Sequence, residues 1–248
     1  MAKHRTRNAD HAIHIDPIIR LWLLRILVPL GGQREFVHNH GFSDDTVAEA
    51  IGLGHWIDPS PNDFDPKAVR TELRQLHQRA EKQLSQSTLP ASLRQNISQL
   101  SELVGLSSTD CRVLEFAVSI QNERLLDDAA DWLGQLSSTK VFHTLSTLLD
   151  LPEPNIRASL GSQGILARSG LVSIDHSGSS FLRCKLNLLS DAFADQMATA
   201  ETNPVSLLRG TVAIAPPAQL SLSDYHHVQA TLDILLPYLR HATATGQR

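Results

Sequence analysis

The chain has few of the features that announce a chemical function. Of its 248 residues only two are cysteine, Cys111 and Cys184. They lie far apart, each inside an apolar periodic run. That excludes a disulfide framework and a thiolate metal cluster, and it predicts two buried free thiols in a reducing compartment. Positive charge is also short. The formal net charge is −4, which gives no global attraction for nucleic acid. Long apolar runs are missing too. The longest, Ile18 to Leu30, is broken by Arg20, Arg25 and Pro29, too short and too charged to span a bilayer. No signal peptide is visible, so the expected location is the cytoplasm, with no membrane partner.

A phosphate-binding loop is absent as well. Gly134-Gln135-Leu136-Ser137-Ser138-Thr139-Lys140 resembles one faintly, but Thr139 precedes the lysine and Val141 follows it. The pattern needs Gly before the lysine and Ser or Thr after it. A helix stop followed by a helix start explains the residues better. Leu125-Leu126-Asp127-Asp128 is a solvated helix face, because Asp131 continues it at helical spacing. His38-Asn39-His40 looks like part of a metal nuclease, but no further ligands stand nearby. His226 and His227 would point about 100° apart on a helix and cannot share a metal. No metal site and no catalytic set is expected.

What the sequence does contain is helix. After a disordered lead-in over 1–14, Asp16-Pro17 starts a helix that is apolar almost all round and therefore buried against several neighbours. Gly31-Gly32 ends it. Ser43-Asp44-Asp45 caps a second helix. Pro66 opens a long polar helix to about Leu84, with one narrow apolar stripe of Val69, Leu73, Leu76 and Ala80. Ser85 to Thr88 reads as a linker. The expectation is an N-terminal helical domain over 15–85 and a second domain over 89–245.

In the second domain, helices start near Leu89, Ser107, Arg124 and Ser137, and later ones cover Asp191 to Met197, Pro204 to Gly210 and Tyr225 to Thr243. Pro237 should kink the last of these. From Leu148 to Leu189 the pattern changes. A helix ends at Asp150-Leu151-Pro152, and Pro152 and Pro154 open another that carries Ile156, Ser159 and Leu160. Gly170 to Ile174 alternates like a strand, His176 to Ser180 is a turn, and Phe181 to Leu189 alternates again. That order predicts a winged helix-turn-helix with a small β-hairpin wing, within about 107–189 of a mainly α chain.

Winged modules bind DNA or partner proteins. The candidate contacts are Lys140, Arg157, Arg168, Arg183 and Lys185. Between Ser107 and Ser190, however, seven Lys/Arg face nine Asp/Glu. Phosphate contacts dominate DNA affinity, so this balance favours a protein contact or a structural role over DNA.

The runs Leu103-Val104-Gly105-Leu106-Ser107, Val113-Leu114-Glu115-Phe116-Ala117, and Ser169-Gly170-Leu171-Val172-Ser173-Ile174 resemble the region ahead of the ATPase core in a family of bacterial AAA+ ATPases, and the likeness covers most of the chain. Asp191 to Ala194, Pro204 to Gly210 and Ala215 to Tyr225 also match, as do Tyr238-Leu239-Arg240, Arg20 to Arg25 and Gly41 to Asp45. In such proteins the last helix leads into a strand and a loop ending Gly-Lys-Thr. Here Thr245-Gly246-Gln247-Arg248 stands where that core would begin. The resemblance implies a non-catalytic recognition or regulatory region. It implies that ATP and Mg²⁺ belong to the parent's missing core, and that the parent assembles as a ring acting on a protein substrate or partner. The alternatives are a winged-helix DNA-binding regulator and a structural or oligomerisation spacer.

Overall fold

The computed structural model describes residues 15–57, 64–83, 90–199, 224 and 226–244. These are mainly helical. The expected lead-in, the linker at 85–88 and the helix and extended turn over 204–217 lie outside them. The chain divides into two compact units, residues 1–210 and 211–248.

The first unit is organised around α1 (Pro17–Leu27). Nine of its eleven residues are buried, including Arg25. An all-apolar helix of this kind needs neighbours on every side, and α1 has them. It packs on α4 (Pro66–Lys82), α7 (Arg124–Asp131) and α8 (Ser138–Leu149), as well as on the short helices α2 (Gln33–Phe36) and α3 (Asp45–Ile51). The α4 helix buries only Val69 and Leu73, so the narrow stripe is a one-sided contact.

The expected division into domains at 85–89 is therefore not a division of the packing. α1 and α4 come from one side of it, α7 and α8 from the other. One hydrophobic cluster runs from Ile18 through Leu73 to Met197. Trp22 on α1 meets Phe116 on α6 (Ser108–Asn122) edge to face at 5.2 Å. The Ser/Gln composition of 85–88 marked a chain connection, but the apolar surface of α1 is too large for α2–α4 alone to cover. The C-terminal helix α13 (Gln229–Ala244) also departs from the expected 89–245 domain, because it belongs to the second unit. It follows a 3-10 turn at His226–Val228 and carries Pro237 within the helix.

Local signals set most boundaries. Ser107 and Asp110 form a reciprocal capping box at the start of α6. Gly105 ends α5 (Ala91–Val104) at φ +78°, a conformation that a side chain disfavours. α5 and α6 jointly hold α12 (Asp191–Ala198) by its C-terminal carbonyls. Ser92 Oγ donates to Ala198 O at 3.0 Å, Asn96 Nδ2 to Met197 O at 3.1 Å, and Asn122 Nδ2 to Ala194 O at 3.0 Å. Carbonyls at a helix end lack partners within the helix; the Ser92 hydroxyl and the Asn96 amide supply them for Ala198 and Met197, and Asn122 adds a bond at Ala194 one turn earlier.

The cysteine expectation needs correction. Cys184 is exposed and Cys111 half-buried. Cys184 sits in a helical turn rather than a strand, so the alternation that would have buried it does not apply. Burial raises the Cys111 thiol pKa. Among the described residues no helix is long and apolar enough to cross a membrane.

Candidate recognition face

The segment after α7 places two helices, a turn and a two-stranded ribbon together. Gly134, at φ +67°, stops α7, and the Leu136 and Ser180 backbones pair in an isolated antiparallel bridge. The faint phosphate-loop sequence is thus a helix stop, a bridge and the start of α8. Asp150 caps α8 in the left-handed region at φ 52°. Pro152 then leads into α9 (Glu153–Leu160), where proline suits the start of a helix. α9 is anchored from below by Asp110, whose carboxylate accepts from Ser107 N at 2.9 Å and from the Ser159 hydroxyl. The capping box of α6 thereby fixes the position of α9.

A further short helix, α10 (Ile165–Ser169), fills the gap before the ribbon. Its start lies hard against the end of α9. A Cβ on Gly164 would sit 2.1 Å from the Ser159 carbonyl oxygen, so only glycine fits. β1 (Val172–Ile174) pairs antiparallel with β2 (Leu186–Leu188).

Here the sequence expectation of a second strand from Phe181 to Leu189 is corrected. Leu182–Lys185 forms a helical turn, α11, and only Leu186–Leu188 is strand. The difference decides the fate of Lys185. On a regular strand it would share the solvent side with Arg183 and Asn187. The helical turn instead rotates it inward, and it is wholly buried. Its Nζ donates to the carbonyls of Asp175, Ser177 and Gly178 at 2.6, 3.1 and 2.9 Å. A buried ammonium needs such acceptors, and these three come from the ribbon tip. The Asp175 carboxylate completes the arrangement. It accepts from Ser177 N at 2.8 Å and Oγ at 2.7 Å, and stands 3.8 Å from Nζ. Its pKa is lowered, first by the Ser177 hydrogen bonds and then by the lysine charge.

Lys185 is therefore a positioning residue and not a contact residue. The other candidates divide. Arg157 lies over the Phe142 ring at 4.5 Å and is held by Glu153 at 2.6 and 2.9 Å. His143 stands 3.8 Å from the same carboxylate. Arg183 is bound to Asp127 at 2.8 Å and Gln121 at 2.7 Å. Lys140 and Arg168 are exposed, with no carboxylate partner among the described residues. The exposed surface of α9 carries Pro154, Asn155, Arg157 and Ala158.

Sequence reasoning missed the role of Lys185, because it assumed uninterrupted alternation. The usable signal was Asp175-His176-Ser177-Gly178, a side-chain-to-backbone turn that shapes its carbonyls for a cation. Among the described residues no group of three or more His, Cys, Asp or Glu is placed to hold a metal ion. Comparisons with protein-family models, curated proteins and solved structures return no match to this chain.

Proposed function

We propose that this chain is a recognition region of an AAA+ ATPase, in which residues from α7 to β2 form a winged helix that docks a protein partner. The helix, left-handed turn, helix and ribbon order supports the winged-helix reading. So does the Leu136–Ser180 bridge, which sets a third extended segment beside the tip. The observation that carries the choice of partner is the state of the five candidate cations. Lys185 is spent on the tip, and Arg157 and Arg183 are neutralised by Glu153 and Asp127, which leaves Lys140 and Arg168 as the two exposed candidates with no carboxylate partner among the described residues. A duplex binder relies on cations free to meet phosphates. Two such cations are few for a duplex, and a surface whose arginines are mostly paired and braced suits a protein.

Fluorescence anisotropy with duplex DNA at low salt tests this choice. The expected result is no saturable binding. Saturable, salt-sensitive binding that weakens in Arg157→Ala and Arg183→Ala overturns it in favour of a DNA-binding regulator. Parentage is tested by the reading frame that follows Arg248. A Gly-x-x-x-x-Gly-Lys-Thr within about 20 codons supports it, and its absence there overturns it. The chain alone is expected not to hydrolyse ATP.

A further inference from the structure

The His38-Asn39-His40 run plays no part in the recognition face, yet the fold builds something around it. Val37 and Phe42 pair as an antiparallel bridge, and His38 N donates to Gly41 O at 2.9 Å. The intervening residues form a tight turn whose three polar side chains are exposed. Aromatic packing makes its base rigid. Phe42 stacks on Phe36 at 4.9 Å, Phe36 leans on Trp132 at 4.9 Å, and Phe64 meets Phe42 edge-on at 5.4 Å. The Ser43 hydroxyl donates to the Glu35 carbonyl. Its proton is thus committed, so His38 Nε2, 2.8 Å away, is the donor to Ser43 Oγ. The ring is held in one orientation.

Two guanidiniums flank this turn from separate helices. Arg34 projects from α2 and is exposed. Arg70 reaches over from α4 and donates through one Nη to the Val37 carbonyl at 3.0 Å. Together with His38, Asn39 and His40 they line an open concavity of about 620 Å³ with no carboxylate among the described residues of its wall. Arg25, Arg112, Arg124, Arg157 and Arg183 each have an acidic partner. Arg34 and Arg70 have none among the described residues, as is also true of Arg20, Arg74, Arg79, Arg94 and Arg168. What sets Arg34 and Arg70 apart is that both line one concavity, in a chain whose net charge is −4.

We propose that this concavity binds the phosphoryl groups of a small oligophosphate ligand. A guanidinium fork matches two phosphate oxygens, and the His40 imidazole and the Asn39 amide add shorter-range N–H donors. The donors sit on one turn and two adjacent helices, which matches one or two phosphoryl groups. A nucleic-acid track draws on about 6–10 phosphate contacts, more than this cluster offers.

Calorimetric titration of the whole chain with inorganic pyrophosphate, and in a parallel arm with a nucleoside diphosphate, tests this. One saturable site is expected, weakened about tenfold by Arg34→Gln and also weakened by His40→Gln. Both side chains are exposed, so folding should be retained, as checked by unchanged melting. Arg94→Gln, on α5, should leave binding intact. Equal affinity in the two arms assigns recognition to the phosphates alone, while tighter nucleoside diphosphate binding adds the nucleoside to it. No saturable heat at millimolar pyrophosphate overturns the proposal, as does binding that survives both variants. Much tighter binding of a single-stranded oligonucleotide through Arg34 and His40 overturns it in favour of a nucleic-acid contact.

Discussion

Arg25 and Glu81 meet across α1 and α4 through two parallel hydrogen bonds of 2.7 Å each. The same guanidinium donates to the Leu148 carbonyl of α8 at 2.6 Å. Only 3% of the Arg25 side chain is exposed, against 32% for Glu81. One side chain therefore ties together three helices drawn from both sides of the 84–89 connection. Glu81→Ala leaves a buried cation with a single carbonyl partner and should cost about 3 kcal/mol in urea unfolding, the low end for such breaks because Glu81 is partly solvated. Arg25→Met with Glu81→Leu removes both charges and should be far milder than either single change.

The same pair sets an acid limit. The Glu81 pKa is lowered, chiefly by the Arg25 hydrogen bonds, with His77 adding to it. A depressed folded pKa stabilises above the unfolded value, about 4.3 for Glu, and that contribution is lost as pH falls through the folded value. Stability should therefore drop on acidification below about pH 5. The drop should be smaller in Glu81→Gln, which cannot titrate. An equal acid slope in both proteins would assign it to other carboxylates.

Trp22 and Phe116 make a second tie across the same connection. If α1–α4 share one core with α5–α12, removing either ring should lower a single cooperative transition. Trp22→Ala should cost about 3–5 kcal/mol and displace tryptophan fluorescence and far-UV dichroism together. A double-mutant cycle with Phe116→Leu should show coupling of about 1 kcal/mol. Two separated transitions would restore the division into lobes that composition suggested.

Helix identity and most caps were legible in the sequence, because they depend on neighbours within a turn. Ser107 with Asp110, Gly105, and the Pro152-Glu153-Pro154 start are local devices. The one-sided α4 and the all-round α1 were legible from periodicity for the same reason. What covers α1 was not, since helix periodicity names a buried face without naming its partner. α10 and α11 were missed because four- and five-residue helices carry no periodic signal, and α11 is what turns Lys185 inward. For the phosphoryl-anion concavity, His38-Asn39-His40 was visible, but Arg34 and Arg70 join it only through α2 and α4.

Lys185 gives a prediction that separates tip architecture from global stability. Lys185→Met leaves the carbonyls of Asp175, Ser177 and Gly178 without their shared donor. The expected cost is about 2–3 kcal/mol. Amide exchange should accelerate first at 175–180, ahead of α1 and α6. Lys185→Arg should not restore protection, because a planar fork cannot converge on three carbonyls as an ammonium does. Unchanged exchange at the tip would remove the positioning role.

Asp150 offers a stabilising change in the turn that orients α9. It is the non-glycine residue with positive φ among those described, at 52°. It also places an exposed carboxylate at the C-terminal end of α8, where the helix dipole is negative. Backbone and charge both oppose it. Asp150→Gly relieves the conformational cost and the charge together and should raise stability by about 0.5–1 kcal/mol. Asp150→Asn keeps a side chain that tolerates this backbone and removes only the charge. A gain from Asn close to that from Gly would assign the effect to the dipole, whereas a gain seen in Gly alone would assign it to the backbone. A loss in both would mean that the Asp150 carboxylate supports the turn.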